Sequence, residues 1–103
     1  MADSYKIGQE RTADGAATLL CIDGELDINA RDDLRAAILG AVDRGDVVVD
    51  LGGTTFLDSE ALGALIDGYN AAVSGGTGFR VIKATGVVAR VLGVSGAGEL
   101  FGS

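Results

Sequence analysis

Apolar and polar positions along this chain change period several times, and each change marks an element. Tyr5–Glu10 and Thr18–Asp23 read as two strands joined at Ala13-Asp14-Gly15, where Asp-Gly is a hairpin turn signal. The run Leu19-Leu20-Cys21-Ile22 is continuously apolar, the pattern of a strand covered on both faces, which places Cys21 in the core. From about Ala30 to Arg44 the period becomes helical: Leu34, Ala37, Ile38, Ala41 and Val42 recur at i, i+3, i+4, i+7 and i+8. Asp27 or Asn29 can cap the start of that helix and Gly45 its end. Val47-Val48-Val49-Asp50-Leu51 reads as a short buried strand, and Gly52–Leu57 as a connection leading into Asp58-Ser59-Glu60. Leu62, Leu65, Ile66, Tyr69 and Val73 then predict a second helix over Glu60–Val73, with Tyr69 in the core and its hydroxyl at the rim. Ser74-Gly75-Gly76-Thr77-Gly78 breaks it. Phe79–Lys83 reads as a further strand, and Gly86–Gly93 as a short third helix with Val88, Val91 and Leu92 turned inward.

The order β-β-α-β-α-β-α predicts an α/β fold. After one N-terminal hairpin, strands alternate with helices, so the sheet should be mixed and mostly parallel, with helices packed on it through right-handed crossovers. The 103 residues suit one domain spanning 1–103.

Composition narrows the chemistry. The chain has no His and a single Cys, so it lacks the commonest general base and cannot build a conventional zinc site or a Ser-His-Asp arrangement. No GxxxxGK[ST] stretch is present, and the Gly-rich run Gly93–Gly98 follows a helix rather than a strand, the place of a helix terminator and not of a nucleotide loop. No cofactor or metal is implied, and the reading is of a binding module, not an enzyme. Fifteen acidic residues against eight basic ones give a net charge of −7, which repels nucleic acid and anionic membrane while leaving a basic protein surface as a partner. No apolar run reaches the roughly 18 residues of a membrane span. The opening Met1–Arg11 has no signal-peptide core, and one Cys cannot form an internal disulfide, so a cytoplasmic location is expected.

Candidate functional residues cluster at 58–60, where the second helix begins. A helix start leaves backbone N–H groups unpaired and carries the positive end of the dipole. Asp58 or Ser59 as N-cap with Glu60 in the first turn accounts for this cluster as capping alone. The other reading is a hydroxyl at an exposed helix start, open to a kinase. Spacing does not decide between them. Thr54 and Thr55 are alternative phosphoacceptors in the preceding segment.

Val47-Val48-Val49-Asp50-Leu51, followed by Thr55-Phe56-Leu57-Asp58-Ser59-Glu60-Ala61-Leu62-Gly63, resembles the signature of the STAS-domain family, a hydrophobic strand leading into an Asp-Ser turn. Gly24-Glu25-Leu26-Asp27 is similar to the family's Gly-Glu-Leu-Asp loop, and Val87–Gly96 to its third-helix segment. Within the family the chain looks most like the free-standing anti-sigma factor antagonists. That resemblance implies a partner-switching cycle. The unphosphorylated domain binds an anti-sigma factor that is also a serine kinase of GHKL type, the kinase phosphorylates the serine matching Ser59, and a serine phosphatase reverses the step. The resemblance places Asp27, Asp58, Ser59 and Glu60 on the partner-binding surface, although Asp27 has capping as an equally simple role.

Ala61 stands where the pattern usually has Gly, which favours the helix, and Glu60 where a second Ser or Thr is common, adding a fixed charge beside Ser59. Family members usually continue into a last strand and helix beyond the point matching Leu100–Ser103. The C-terminal layer is therefore expected to be shortened or absent, with apolar surface exposed or covered by a partner. The resemblance also leaves an alternative function, a STAS accessory subunit of a bacterial lipid-transport ABC system.

Overall fold

The computed structural model describes residues 5–101; residues 1–4 and 102–103, which the expected domain includes, lie outside them. Strand β1 (Tyr5–Arg11) pairs antiparallel with β2 (Ala17–Leu26), β2 pairs parallel with β3 (Asp46–Leu57), and β3 pairs parallel with β4 (Phe79–Ile82). The sheet is four-stranded, in the order β1-β2-β3-β4. Helix α1 (Arg31–Asp43) bridges β2 to β3, and α2 (Ser59–Gly75) bridges β3 to β4. Helices α3 (Gly86–Ser95) and α4 (Ala97–Leu100) come after β4. This is the mixed, mostly parallel α/β sheet that the hydrophobic pattern predicts. The hairpin turn is held by Asp14, whose carboxylate accepts from the Thr12 hydroxyl at 2.6 Å and the Ala16 N–H at 3.0 Å. Those two donors, the hydroxyl first, lower the Asp14 pKa.

One face of the sheet is buried under α1 and α2. Leu20, Ile22, Val47, Val49, Leu51, Phe79 and Val81 point into it and meet Leu34, Ile38, Ala41 and Leu65 from the helices. The opposite face carries Leu19, Cys21, Val48 and Asp50, all half-buried. The continuous apolar run in β2 therefore does not mean a strand covered on both sides, and Cys21 is not a core residue. Ile22 faces the core, and its neighbour must face away because side chains alternate along a strand.

Two further differences have clear physical causes. Gly52–Leu57, read as a connection, is the second half of β3. It pairs with β2 through two register shifts, Cys21↔Asp50 passing to Asp23↔Gly53 and Gly24↔Thr54 to Glu25↔Phe56, so β3 fits two extra residues as bulges. A Cβ on Gly53 would lie 1.8 Å from Asp23 Oδ1, so a side chain there would have to turn the exposed Asp23 carboxylate aside. In α2 the buried face belongs to Ala61, Leu62, Ala64, Leu65, Gly68 and Ala72, while Val73, on the expected stripe, is 60% exposed. Small residues win this face because α1 comes close. A Cβ on Gly68 would sit 2.2 Å from Ile38 Cγ2.

Among the described residues no strand comes after α3. The core at that end is nonetheless closed. Phe101, fully buried, packs edge-on to Tyr69 at 6.2 Å between ring centroids and against Phe79 at 5.7 Å. Gly96, in the left-handed conformation at φ +79, reverses the chain between α3 and α4 and so delivers Phe101 to this position.

Phe101→Ala is expected to destabilise the domain by about 3–5 kcal/mol, the usual cost of emptying a buried aromatic site. Urea unfolding followed by circular dichroism checks it, and a loss below about 1 kcal/mol would contradict the closing role. The thiol of Cys21 gives a second expectation. Burial, then the charges of Glu10, Asp50 and Asp23, push its pKa up. Only thiolate reacts with alkylating agents. Alkylation of the folded protein should thus be slower at neutral pH than for a free cysteine peptide, with the rate still climbing above the pH where the peptide levels off.

Candidate partner-binding surface

The parallel pairing of β2 and β3 ends at Leu26↔Leu57, and both residues are buried. The next residue on each strand is an aspartate, so Asp27 and Asp58 emerge side by side at the C-terminal edge of the sheet. The Asp58 N–H donates to the Leu26 carbonyl at 3.0 Å and ties the two chain exits together. Gly24, Glu25 and Leu26, read as a loop, are the end of strand β2, and Asp27 alone lies beyond it.

Each aspartate caps the helical segment that it precedes. The Asp27 carboxylate accepts from the Asn29 N–H at 3.0 Å and caps a 3-10 turn, Ile28–Ala30, which runs into α1. The sequence pattern alone assigns this cap to α1 itself. The inserted turn takes it instead, and Ala30 begins α1 with no side-chain cap. The Asp58 carboxylate accepts from the Ala61 N–H at 2.9 Å and caps α2. Between Asp58 and Ser59, which spacing leaves open, the cap is Asp58, and Ser59 is the first residue of the helix proper. Its side chain is exposed and has no hydrogen-bond partner among the described residues. Capping accounts for Asp58, but not for Ser59.

The neighbouring hydroxyls differ. Thr54 is 4% exposed, and its hydroxyl donates to the Ile22 carbonyl at 2.8 Å, a bond across the β2–β3 pair that hides it from any enzyme. Thr55 is exposed but lies within β3. Ala61, at the position where Gly is usual, is fully buried, so its methyl group fills the core.

Glu60 does not stand as a free charge beside Ser59. Arg31, the first residue of α1, reaches it at 3.4 Å and also pairs with Asp32 at 3.2 Å. These carboxylates, Asp32 before Glu60, raise the Arg31 pKa. A second bridge, Arg35 to Asp67 at 3.2 Å, links α1 and α2 one turn further along. The four side chains of the two interhelical pairs are 43–54% exposed, so the pairs orient the helices more than they stabilise them.

Two apolar side chains flank the capped ends: Ile28, 57% exposed, and Phe56, 40% exposed. Sequence reasoning misses Ile28 and Arg31. Ile28 sits directly after a capping aspartate and is out of phase with the Leu34–Val42 stripe, the signal that it points outward. The Arg31–Glu60 contact joins residues on different elements, and periodicity carries no signal for it. Among the described residues, no group of His, Cys, Asp and Glu could hold a metal ion, and no helix is long and apolar enough to cross a membrane.

The chain is similar to known proteins in sequence family and in fold. A family model described as "Mlab, STAS domain" matches residues 10–102. No curated protein matches the chain in sequence. Among solved structures, an anti-sigma factor antagonist from Mycobacterium paratuberculosis is similar, with 25% identity and a TM-score of 0.85 over 96% of this chain and 84% of that one. An anti-sigma-factor antagonist (STAS) domain protein from Planctomyces limnophilus shares the fold at 18% identity, with a TM-score of 0.76 over 92% and 85%. So does the Bacillus cell fate determinant SpoIIAA in its phosphorylated form, at 20% identity and a TM-score of 0.69 over 92% and 87%. With nearly its whole length matched by the family model and the capped Asp-Ser helix start in place, the chain belongs to the STAS-domain family.

Proposed function

We propose that this protein is an anti-sigma factor antagonist. It is a binding switch that sequesters an anti-sigma serine kinase of GHKL type while Ser59 is unphosphorylated, and that lets it go once Ser59 carries phosphate. The observation that carries the reading is the free, exposed Ser59 hydroxyl at a helix start whose capping is supplied by Asp58. A kinase can take that hydroxyl without breaking a bond the fold needs. Support also comes from the similarity to the Mycobacterium paratuberculosis antagonist.

In this reading Asp27, Asp58, Ser59 and Glu60 form the contact surface, with Ile28 and Phe56 as apolar anchors between acidic neighbours. An acidic rim around apolar residues suits a partner surface that is basic at its edge and apolar at its centre. Phosphorylation adds about −1.5 to −2 units of charge at the centre of that contact. In the free protein the N–H groups at the start of α2 tolerate the anion, and Arg31 already draws off part of the Glu60 charge. Within the complex, a partner surface fitted to a neutral hydroxyl has no such compensation. The switch acts by local charge, with the fold unchanged. A serine phosphatase resets it.

Incubation with a GHKL-type anti-sigma kinase and ATP is expected to place phosphate on Ser59 alone, read by intact mass and peptide mapping. Phosphate on Thr55 with Ser59 unmodified would overturn the assignment. Ser59→Ala should keep stability within about 0.5 kcal/mol and retain kinase binding, whereas Asp58→Ala should cost about 0.5–2 kcal/mol of stability. Phosphorylated protein should bind the kinase more weakly by about 2–5 kcal/mol, tenfold to several thousandfold, with Ser59→Asp showing a smaller loss. Calorimetric titration at low and high salt tests the electrostatic part. Amide shifts spread through all the helices on phosphorylation would show a conformational switch instead. A stable complex with a P-loop ATPase, indifferent to Ser59 replacement, would assign the chain to a lipid-transport ABC system.

A further inference from the structure

Ser59 stands between two carboxylates, and each of them is held by another group. The Asp58 carboxylate is turned back into α2, where it accepts the Ala61 N–H at 2.9 Å as the cap. The Glu60 carboxylate is turned towards α1, where Arg31 Nη1 donates to it at 3.4 Å. The two are held differently. The cap bond is made to the backbone and belongs to the helix itself. Glu60 depends on one side chain from another element, and among the described residues it makes no other ion pair.

Arg31 reaches Glu60 from a fixed place. It opens α1 directly after the turn Ile28–Ala30, so the chain exit that carries Asp27 also sets its backbone. Asp32 accepts from its Nε at 3.2 Å and leaves Nη1 for Glu60. The contact is not what holds the helices together. Arg35 and Asp67 tie α1 to α2 at 3.2 Å, and a Cβ on Gly68 would sit 2.2 Å from Ile38 Cγ2, so the two helices are in close contact further along. The Arg31 and Glu60 side chains are 43% and 46% exposed, and ion pairs so open to water stabilise little. What the pair does decide is where the Glu60 charge lies.

Released, that charge would move. The start of α2 is the positive end of the helix dipole, and it draws a free carboxylate towards itself. Glu60 would swing to the helix start, beside the Ser59 hydroxyl. Phosphorylation brings a second anion to the same place. In that step Ser59 Oγ bonds to the γ-phosphorus of ATP, the bond from that phosphorus to the bridging oxygen breaks with its electron pair leaving on ADP, and the hydroxyl proton passes to a base of the kinase. A carboxylate beside the hydroxyl repels the incoming triphosphate.

We propose that Arg31 is a positioning residue for Ser59: by drawing the Glu60 carboxylate onto α1, it keeps the approach to the hydroxyl clear of negative charge and so sets how fast the serine accepts phosphate. This rests on the reading of Ser59 as the phosphoacceptor. It also explains how the chain carries a fixed acidic residue next to that serine, since the acid comes with its own counter-ion from α1.

The test is steady-state phosphorylation of the full chain by its GHKL-type anti-sigma kinase and ATP. The unaltered chain is compared with Arg31→Gln, Arg31→Lys, Glu60→Gln and the double variant Arg31→Gln/Glu60→Gln, and thermal melting by circular dichroism shows that each folds. Arg31→Gln is expected to lower kcat/KM about threefold to tenfold, the size of one surface charge contact, and by less at high salt. Glu60→Gln should stay within about twofold of the unaltered chain, and the double variant should recover to the same level. Arg31→Lys should keep most of the rate, because the charge is what holds Glu60. A pair that merely braced the helices would behave otherwise: Glu60→Gln would lose as much as Arg31→Gln, and the double variant would stay slow. That pattern would overturn the proposal, and so would a folded Arg31→Gln chain as fast as the unaltered one. A loss in Arg31→Gln that Glu60→Gln fails to restore would make Arg31 a direct contact of the kinase and overturn it too. Absence of phosphate on Ser59 of the unaltered chain would instead overturn the reading of Ser59 itself.

Discussion

The Asp58 N–H that donates to the Leu26 carbonyl lies where the fold becomes a surface. It extends the parallel β2–β3 pairing one step past the buried pair Leu26 and Leu57, and so fixes where both strands release the chain. Everything at that edge depends on it. Two aspartates leave the sheet side by side, each turns back to cap its own helical segment, and the helices they start lie close enough for Arg31 to reach Glu60. A register slip by one residue would send Leu57 to the solvent face and take the caps out of alignment. The core and the candidate partner surface are therefore held by the same pairing.

The bulges in β3 belong to the same construction. β3 must span the distance that β2 spans while using two more residues, and Gly53 makes room for Asp23 as it does so. Without that slack the Asp-Ser turn would arrive in a different phase. The acidic end formed here contrasts with the opposite side of the sheet, where the segment between Asp67 and Glu99 has only basic charges.

Much of this is legible in the amino-acid order. The hairpin signal at Asp14-Gly15, the Leu34–Val42 stripe and the Gly-rich break after α2 each rest on local chemistry, and local chemistry decides them. Misreadings arise where a distant neighbour decides. Gly52-Gly53 looks like a breaker until Asp23 is seen to occupy the space a side chain would need. The stripe of large apolar residues holds for Leu62, Leu65, Ile66 and Tyr69 but misplaces Val73, and it leaves out Ala64, Gly68 and Ala72, the small residues of the buried face. Cys21 looks buried because a run of four apolar residues does not reveal that only alternate ones are covered. At the candidate site, a helix-start pattern picks out Asp58, Ser59 and Glu60, but which of Asp58 and Ser59 caps is set by backbone geometry. Arg31 and Ile28 come from another part of the chain, and no spacing rule brings them to Ser59.

The hydrogen bond between Thr54 and Ile22 joins residues 32 positions apart, and the bond between Asp58 and Leu26 has the same span. Parallel pairing at that separation forms only after the intervening helix has folded and the ends have met, and it comes late in the assembly of such domains. Until then Ser59 is an ordinary serine between two carboxylates in an unfolded chain, with Asp27, Ile28 and Arg31 elsewhere. An enzyme that recognises the assembled surface responds to whether the domain has folded as well as to its sequence. Under the proposed function, newly made or damaged chains would be invisible to it, and only molecules that have completed the β2–β3 pairing would enter the regulated pool.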